Sequence, residues 1–159
     1  MDTSVLVAGV AGLKDPSVPV TPSAQFLHDW IENDTSTWLI TSDILDEYTE
    51  VLARLGVRPA VIGRIVNLLR AEAELIETTR TVAAEPDPGD AAFWTCADLG
   101  AADFIVTLNA KDFPQSRLSA KVIGPTNHYR RIGSGGESRG LVERDRRHTA
   151  MTDIGAGIH

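Results

Sequence analysis

Trp38-Leu39-Ile40-Thr41-Ser42-Asp43-Ile44-Leu45-Asp46-Glu47-Tyr48-Thr49-Glu50-Val51-Leu52 is the stretch whose reading decides the fold. Its first four residues form a short apolar run with β-type residues, which reads as a buried strand. Ser42 is then expected to cap a helix, because its hydroxyl can accept from a free N–H of the first turn. Ile44, Leu45, Tyr48, Val51, Leu52 and Leu55 recur at helical spacing on one face, and Gly56 is the stop signal. A buried strand running directly into an amphipathic helix is the unit of an α/β fold.

The same alternation extends in both directions. Towards the amino terminus, Pro22 opens a helix to about Asn33 with Thr21 as N-cap, burying Phe26, Leu27, Trp30 and Ile31. Lys14 to Pro22 carries three prolines and reads as a loop, and Val5 to Gly12 is a short apolar stretch. Towards the carboxyl terminus, Pro59 opens another helix. A strand is expected at Leu75–Thr78 or at Thr81–Ala84; the pattern leaves both open. Glu85 to Gly89 is a turn, and Asp90 is placed to start a helix over Ala91–Leu99 with Phe93, Cys96 and Ala97 inside. Phe104-Ile105-Val106-Thr107 is a parallel-type strand, and Lys121-Val122-Ile123 a last one. Strands alternating with helices through short loops imply a mostly parallel sheet flanked by helices.

The 159 residues are 43% hydrophobic, enough for one domain with a sizeable core. No run of about 18 apolar residues occurs, so no membrane span is expected. Cys96 is the only cysteine, which rules out an intrachain disulfide and makes a cytoplasmic location the expectation. The charge is uneven: residues 1–126 hold 9 basic against 18 acidic residues, and residues 127–159 hold 6 against 4. The expected organisation is therefore a domain over 1–126 and a flexible carboxyl-terminal extension over 127–159, where Gly-Ser-rich and charged segments replace apolar ones. An acidic body argues against binding nucleic acid by its field alone. It is compatible with a nuclease whose carboxylates hold divalent cations.

In an open parallel sheet, the site lies outside the carboxyl ends of the strands. Four acids fall at such places: Asp2, Glu47, Asp90 and Asp112. Like charges grouped together need neutralising, and an all-oxygen set favours Mg²⁺ or Mn²⁺. Such ions support attack of water on a phosphodiester. Thr3 and Ser4 are placed to hydrogen-bond a carboxylate or a phosphate, with plain helix capping as the alternative. Thr107 and Asn109 are neutral loop residues able to orient a ligand. Asp103 lies near the same strand and is the reserve candidate for the fourth acid. Asp43 and Asp46 read as surface. The four histidines, His28, His128, His148 and His159, have no i, i+4 spacing and form no metal set. Cys96 and the three tryptophans, Trp30, Trp38 and Trp94, are expected in the core.

These segments carry a resemblance. Asp2-Thr3-Ser4-Val5-Leu6-Val7 is similar to the opening motif of PIN domains. Ser42 to Leu52 resembles the segment with their second acid, at Glu47. Asp87-Pro88-Gly89-Asp90 resembles the third, at Asp90. Ala102 to Phe113 resembles the last motif, with Asp112 in the fourth place. The similarity is greatest to VapC-like toxins of toxin–antitoxin systems and spans about residues 1–126. It implies a PIN-like three-layer α/β fold and a Mg²⁺- or Mn²⁺-dependent endoribonuclease acting on RNA. It also implies restraint by an antitoxin, and dimers in many members. Family members usually carry about four to six apolar residues before the first acid, as a central strand. Only Met1 precedes Asp2, so the first strand is expected to be truncated. The alternative is a degenerate PIN domain that binds an antitoxin or RNA without cleaving. A phosphatase or phosphoacceptor domain with Asp2 as nucleophile ranks last, because no Asp-x-Asp pair follows.

Overall fold

A computed structural model describes residues 1–13, 21–33, 36–78 and 88–126. The order is α1 (Thr3–Gly12), α2 (Pro22–Asn33), β1 (Leu39–Ile40), α3 (Ser42–Arg54), α4 (Pro59–Glu72), β2 (Glu74–Leu75), α5 (Pro88–Leu99), β3 (Phe104–Val106), two 3₁₀ turns (Ala110–Asp112 and Gln115–Arg117) and β4 (Lys121–Ile123). Alternating helices and short parallel strands make this an α/β fold, the class expected. The expected carboxyl-terminal extension, the strand option at Thr81–Ala84 and most of the Lys14–Pro22 loop lie outside the described residues.

Most boundaries follow the local chemistry. Thr21 caps α2 through its hydroxyl, which accepts from Ala24 N at 3.1 Å, and Pro22 is the first helical residue. α3 corrects one expectation: its N-cap is Thr41, whose Oγ1 accepts from Ile44 N at 3.2 Å. The chain leaves β1 still extended at Thr41, so Ser42 already has helical torsions and cannot be the cap. Gly56 ends α3 with φ +78°, while Val57 N bonds Leu52 O and Gly56 N bonds Ala53 O. That is the Schellman pattern, and it needs a residue free of the Cβ penalty. The strand option at Leu75–Thr78 is realised one residue earlier, as Glu74–Leu75.

The Val5–Gly12 stretch proves to be most of α1, a helix apolar nearly all round and packed against α2. The two helices meet closely at Gly12, where an added Cβ would lie 2.8 Å from the Cβ of Ala24. Through the centre runs a chain of aromatic rings, Trp30, Trp38, Tyr48, Phe93 and Phe113, with successive centroids 4.7, 6.3, 6.3 and 6.4 Å apart. It ties α2, β1, α3, α5 and the loop after β3 into one core. Cys96 and Trp94 are buried as well.

The sheet differs from a single continuous one. β1 pairs in parallel with β2, Leu39 opposite Glu74, and β3 in parallel with β4, Phe104 opposite Lys121. No described strand joins the pairs. Between them lies a cavity of about 550 Å³, bordered by Met1, Trp38, Leu39, Ile105 and Val106.

Candidate active site

The carboxyl end of β3 and the amino end of α1 meet. Asp2 N donates to Val106 O at 2.9 Å, which fixes the Asp2 backbone against β3. Asp2 is the N-cap residue of α1, yet its carboxylate makes no capping bond. Its Oδ2 instead accepts from Ser4 Oγ at 2.5 Å and from Thr107 Oγ1 at 2.7 Å. Neither an untethered terminal acid nor a simple helix cap describes this residue.

The hydroxyls are themselves held. Thr107 Oγ1 accepts from Asn109 N at 2.9 Å, and Ser4 Oγ accepts from Leu108 N at 3.4 Å. The loop after β3 thus aims both donors at Asp2. Each hydroxyl donates to the carboxylate while receiving from an amide, an arrangement that polarises it further. Thr107 is only 3% exposed, so this geometry is protected from competing water.

Thr3 carries the connection to the second acid. Its Oγ1 donates to Glu47 Oε1 at 2.5 Å. Glu47 stands in the second turn of α3, half buried, while Asp43 and Asp46 beside it are exposed, as surface residues should be. Asp112 closes the first 3₁₀ turn on the surface, and its Oδ2 accepts from Asn109 Nδ2 at 2.6 Å. Asn109 therefore faces both ways, its amide towards Thr107 and Asp2, its side chain towards Asp112. Asp90 lies in the first turn of α5; its side chain is not among those described.

The structure serves Asp2 and Glu47 from neighbouring residues, Ser4 donating to Asp2 and Thr3 to Glu47, and connects Asp112 to Asp2 through Asn109 and Thr107. It separates Asp103 from this group. Asp103 precedes β3, whereas Thr107 follows it, and four residues of strand rise roughly 13 Å. Asp103 is exposed at the opposite end, where its carbonyl accepts from Lys121 N.

One contributor escapes the sequence pattern. Tyr48 reads as an apolar-face residue, but its hydroxyl donates to the carbonyl of Met1. Its ring is completely buried. Burial, followed by the nearby carboxylates of Asp2 and Glu47, pushes its phenol well above the ordinary value of 10, so it remains a neutral donor. The signal was available in principle: a fully buried tyrosine beside an acid requires a partner for its O–H.

The donor chemistry fits a divalent cation. Two carboxylates accept from neighbouring hydroxyls at the start of α1, Glu47 from Thr3 and Asp2 from Ser4, all candidate donors are hard oxygens, and no ion pair neutralises Asp2 among the described residues. Among those residues no three of His, Cys, Asp and Glu form a ready-made cage. Asp2 and Glu47, with the acids of α5 and of the 3₁₀ turn, are the groups that would hold an ion. The 550 Å³ cavity is a separate feature, since Asp2, Glu47 and Asp112 do not line it.

A family model described as PIN domain matches residues 1–111 of the 159. No curated protein and no solved structure matches the chain. The chain belongs to the PIN-domain family, whose members are generally nucleases and typically use divalent metals.

Proposed function

We propose that this PIN domain is a Mg²⁺- or Mn²⁺-dependent endoribonuclease, acting as the toxin of a toxin–antitoxin pair. The observation that carries the reading is the Asp2 carboxylate, gripped by Ser4 and Thr107, beside Thr3, whose hydroxyl donates to Glu47. Such support is what ligating carboxylates require to hold an ion in one orientation. RNA as substrate and an antitoxin as partner follow from the resemblance of the four motifs to VapC-like toxins.

A divalent cation bound there would supply acidification of water and stabilisation of charge on the scissile phosphate. The chain's own residues do the positioning. Thr107 and Ser4 hold one oxygen of Asp2 and leave the carboxylate aimed past the end of β3. Thr3, the first residue of α1, fixes Glu47 of α3. Asn109 places the Asp112 turn beside the same strand end. Tyr48 secures the Met1 carbonyl, and with it the entry of the backbone into Asp2. Asp90, in the first turn of α5, completes the proposed acid set.

Purified protein is expected to cleave RNA with Mn²⁺, and both chelator and Asp90→Asn should reduce the rate at least about 100-fold. Cleavage that persists through both treatments contradicts the reading. A domain that binds RNA or an antitoxin without cleaving would show neither cleavage nor stabilisation by Mn²⁺.

A further inference from the structure

The loop that follows β3, Leu108-Asn109-Ala110-Lys111-Asp112, is fastened at both ends. At its start Thr107 is buried, Leu108 N donates to Ser4 Oγ at 3.4 Å, and Asn109 N donates to Thr107 Oγ1 at 2.9 Å. At its end Phe113 is buried, its ring centroid 6.4 Å from that of Phe93. In between, Asp112 N bonds Asn109 O and Phe113 N bonds Ala110 O, which closes the 3₁₀ turn. The backbone of this loop is therefore held in register with the carboxylates of Asp2 and Asp112.

Two of its side chains stand in solvent. Leu108 is 54% exposed. Leu55, Leu75 and Leu99 are exposed as well, but Leu108 is the one whose chain neighbours, Thr107 and Asn109, bond Asp2 and Asp112. Lys111 is also exposed, and among the described residues it makes no ion pair and no side-chain hydrogen bond. Other cations are placed differently. Arg54 pairs with Glu50, Arg64 and Arg70 lie on α4, and Lys121 sits opposite Phe104, at the end of β3 away from Asp2.

Electrostatics separates Lys111 from the rest. Residues 1–126 hold 9 basic against 18 acidic residues, so a polyanion approaching the acids is repelled. A divalent cation offsets this at the phosphate it touches. A neighbouring phosphate needs a cation of its own, and screening limits the useful range to about 8 Å at physiological ionic strength. Lysine, a point charge on a flexible stem, suits that contact. Leucine suits the apolar surface of a sugar or base, where phosphate contacts supply position but no sequence information.

We propose that the loop after β3 is the substrate grip of this site: Lys111 pairs with an RNA phosphate flanking the scissile bond, and Leu108 packs against an adjoining ribose or base. The assignment rests on the ribonuclease reading above and adds to it the side chains that hold RNA rather than metal. One contact depends on charge and the other does not, so salt distinguishes them.

The probe is a short fluorescein-labelled RNA of mixed sequence, bound to the full chain in Ca²⁺ and followed by anisotropy over rising salt. Lys111→Met should raise Kd about 3- to 10-fold at low salt and reduce the slope of log affinity against log salt by about 0.7, the share of one single-strand phosphate. Lys111→Arg should restore both. Leu108→Ser should raise Kd by a similar factor at every salt concentration with the slope unchanged. In Mn²⁺, Lys111→Met and Leu108→Ser should raise KM while kcat stays within about twofold. Both side chains are exposed, so unfolding temperatures should match wild type. An unchanged Kd in either variant overturns that residue's contact, and leaves the nuclease reading standing if the wild type cleaves. A loss of kcat at constant KM overturns the grip as well. A wild type that binds RNA more tightly than both variants but cleaves none supports the grip and sinks the nuclease reading. A wild type that binds no RNA overturns both.

Discussion

Thr107 is where the site's chemistry and its support coincide. Its hydroxyl receives from Asn109 N and donates to Asp2, so replacing it removes two bonds in a buried place. Thr107→Val should lower Mn²⁺ affinity by about 10- to 100-fold, read by calorimetric titration, with Thr107→Ser restoring most of it. Equal Mn²⁺ affinity in wild type and Thr107→Val would remove Thr107 from the site. Tyr48 makes a different prediction, in pH. A phenol whose folded value is raised contributes stability that is intact below its unfolded value and lost as pH rises above it. Unfolding free energy should therefore fall above about pH 10, by at most ~1.4 kcal/mol per pH unit. Tyr48→Phe should abolish that decline while costing roughly 1–2 kcal/mol at neutral pH through the Met1 carbonyl. Urea unfolding of both proteins from pH 7 to 11 checks it; parallel alkaline curves would refute it. The sequence identified Thr3, Ser4, Thr107 and Asn109 as polar groups near a strand end. It did not say which acid each hydroxyl serves, because that depends on contacts between residues such as Thr107 and Asp2 that only the folded chain makes.

At the scale of elements, patterning was informative where one face is buried and silent where all faces are. α2, α3 and α4 carry one apolar stripe each and were legible as helices. α1 is apolar almost all round, so no 3.6-residue period distinguishes it from a strand or loop. The strands are only two or three residues long, and at that length the run of apolar residues matters more than alternation. The α3 cap shows how one residue of register escapes sequence reading. Thr41 and Ser42 are both good caps, and the choice falls to where β1 releases the chain. Thr41→Ala should destabilise the protein by about 1 kcal/mol and Ser42→Ala by less than about 0.5, measured by urea unfolding. The reverse order would restore Ser42 as the cap.

Over the whole molecule, the α/β class and the order of elements were readable because strand and helix runs alternate with clear turn signals. The division of the described strands into two pairs was not readable, because the 550 Å³ opening between them is a three-dimensional fact. The acids stood out as candidates because they recur at strand ends and helix starts in four separated segments. Their unequal settings did not. Asp2 and Glu47 are half buried and hydroxyl-bound, Asp112 is on the surface, and Asp103 sits at the far end of β3. No helix among the described residues is long and apolar enough to cross a membrane. The account as a whole turns on Asp2, the residue that α1, β3 and the loop after β3 jointly hold. The most direct measurement is the Mn²⁺-dependent rate of RNA cleavage by Asp2→Asn, which keeps the side chain's shape and removes its charge. A loss of at least about 100-fold with the fold intact by circular dichroism is the expected result; a rate within a few-fold of wild type would contradict the account.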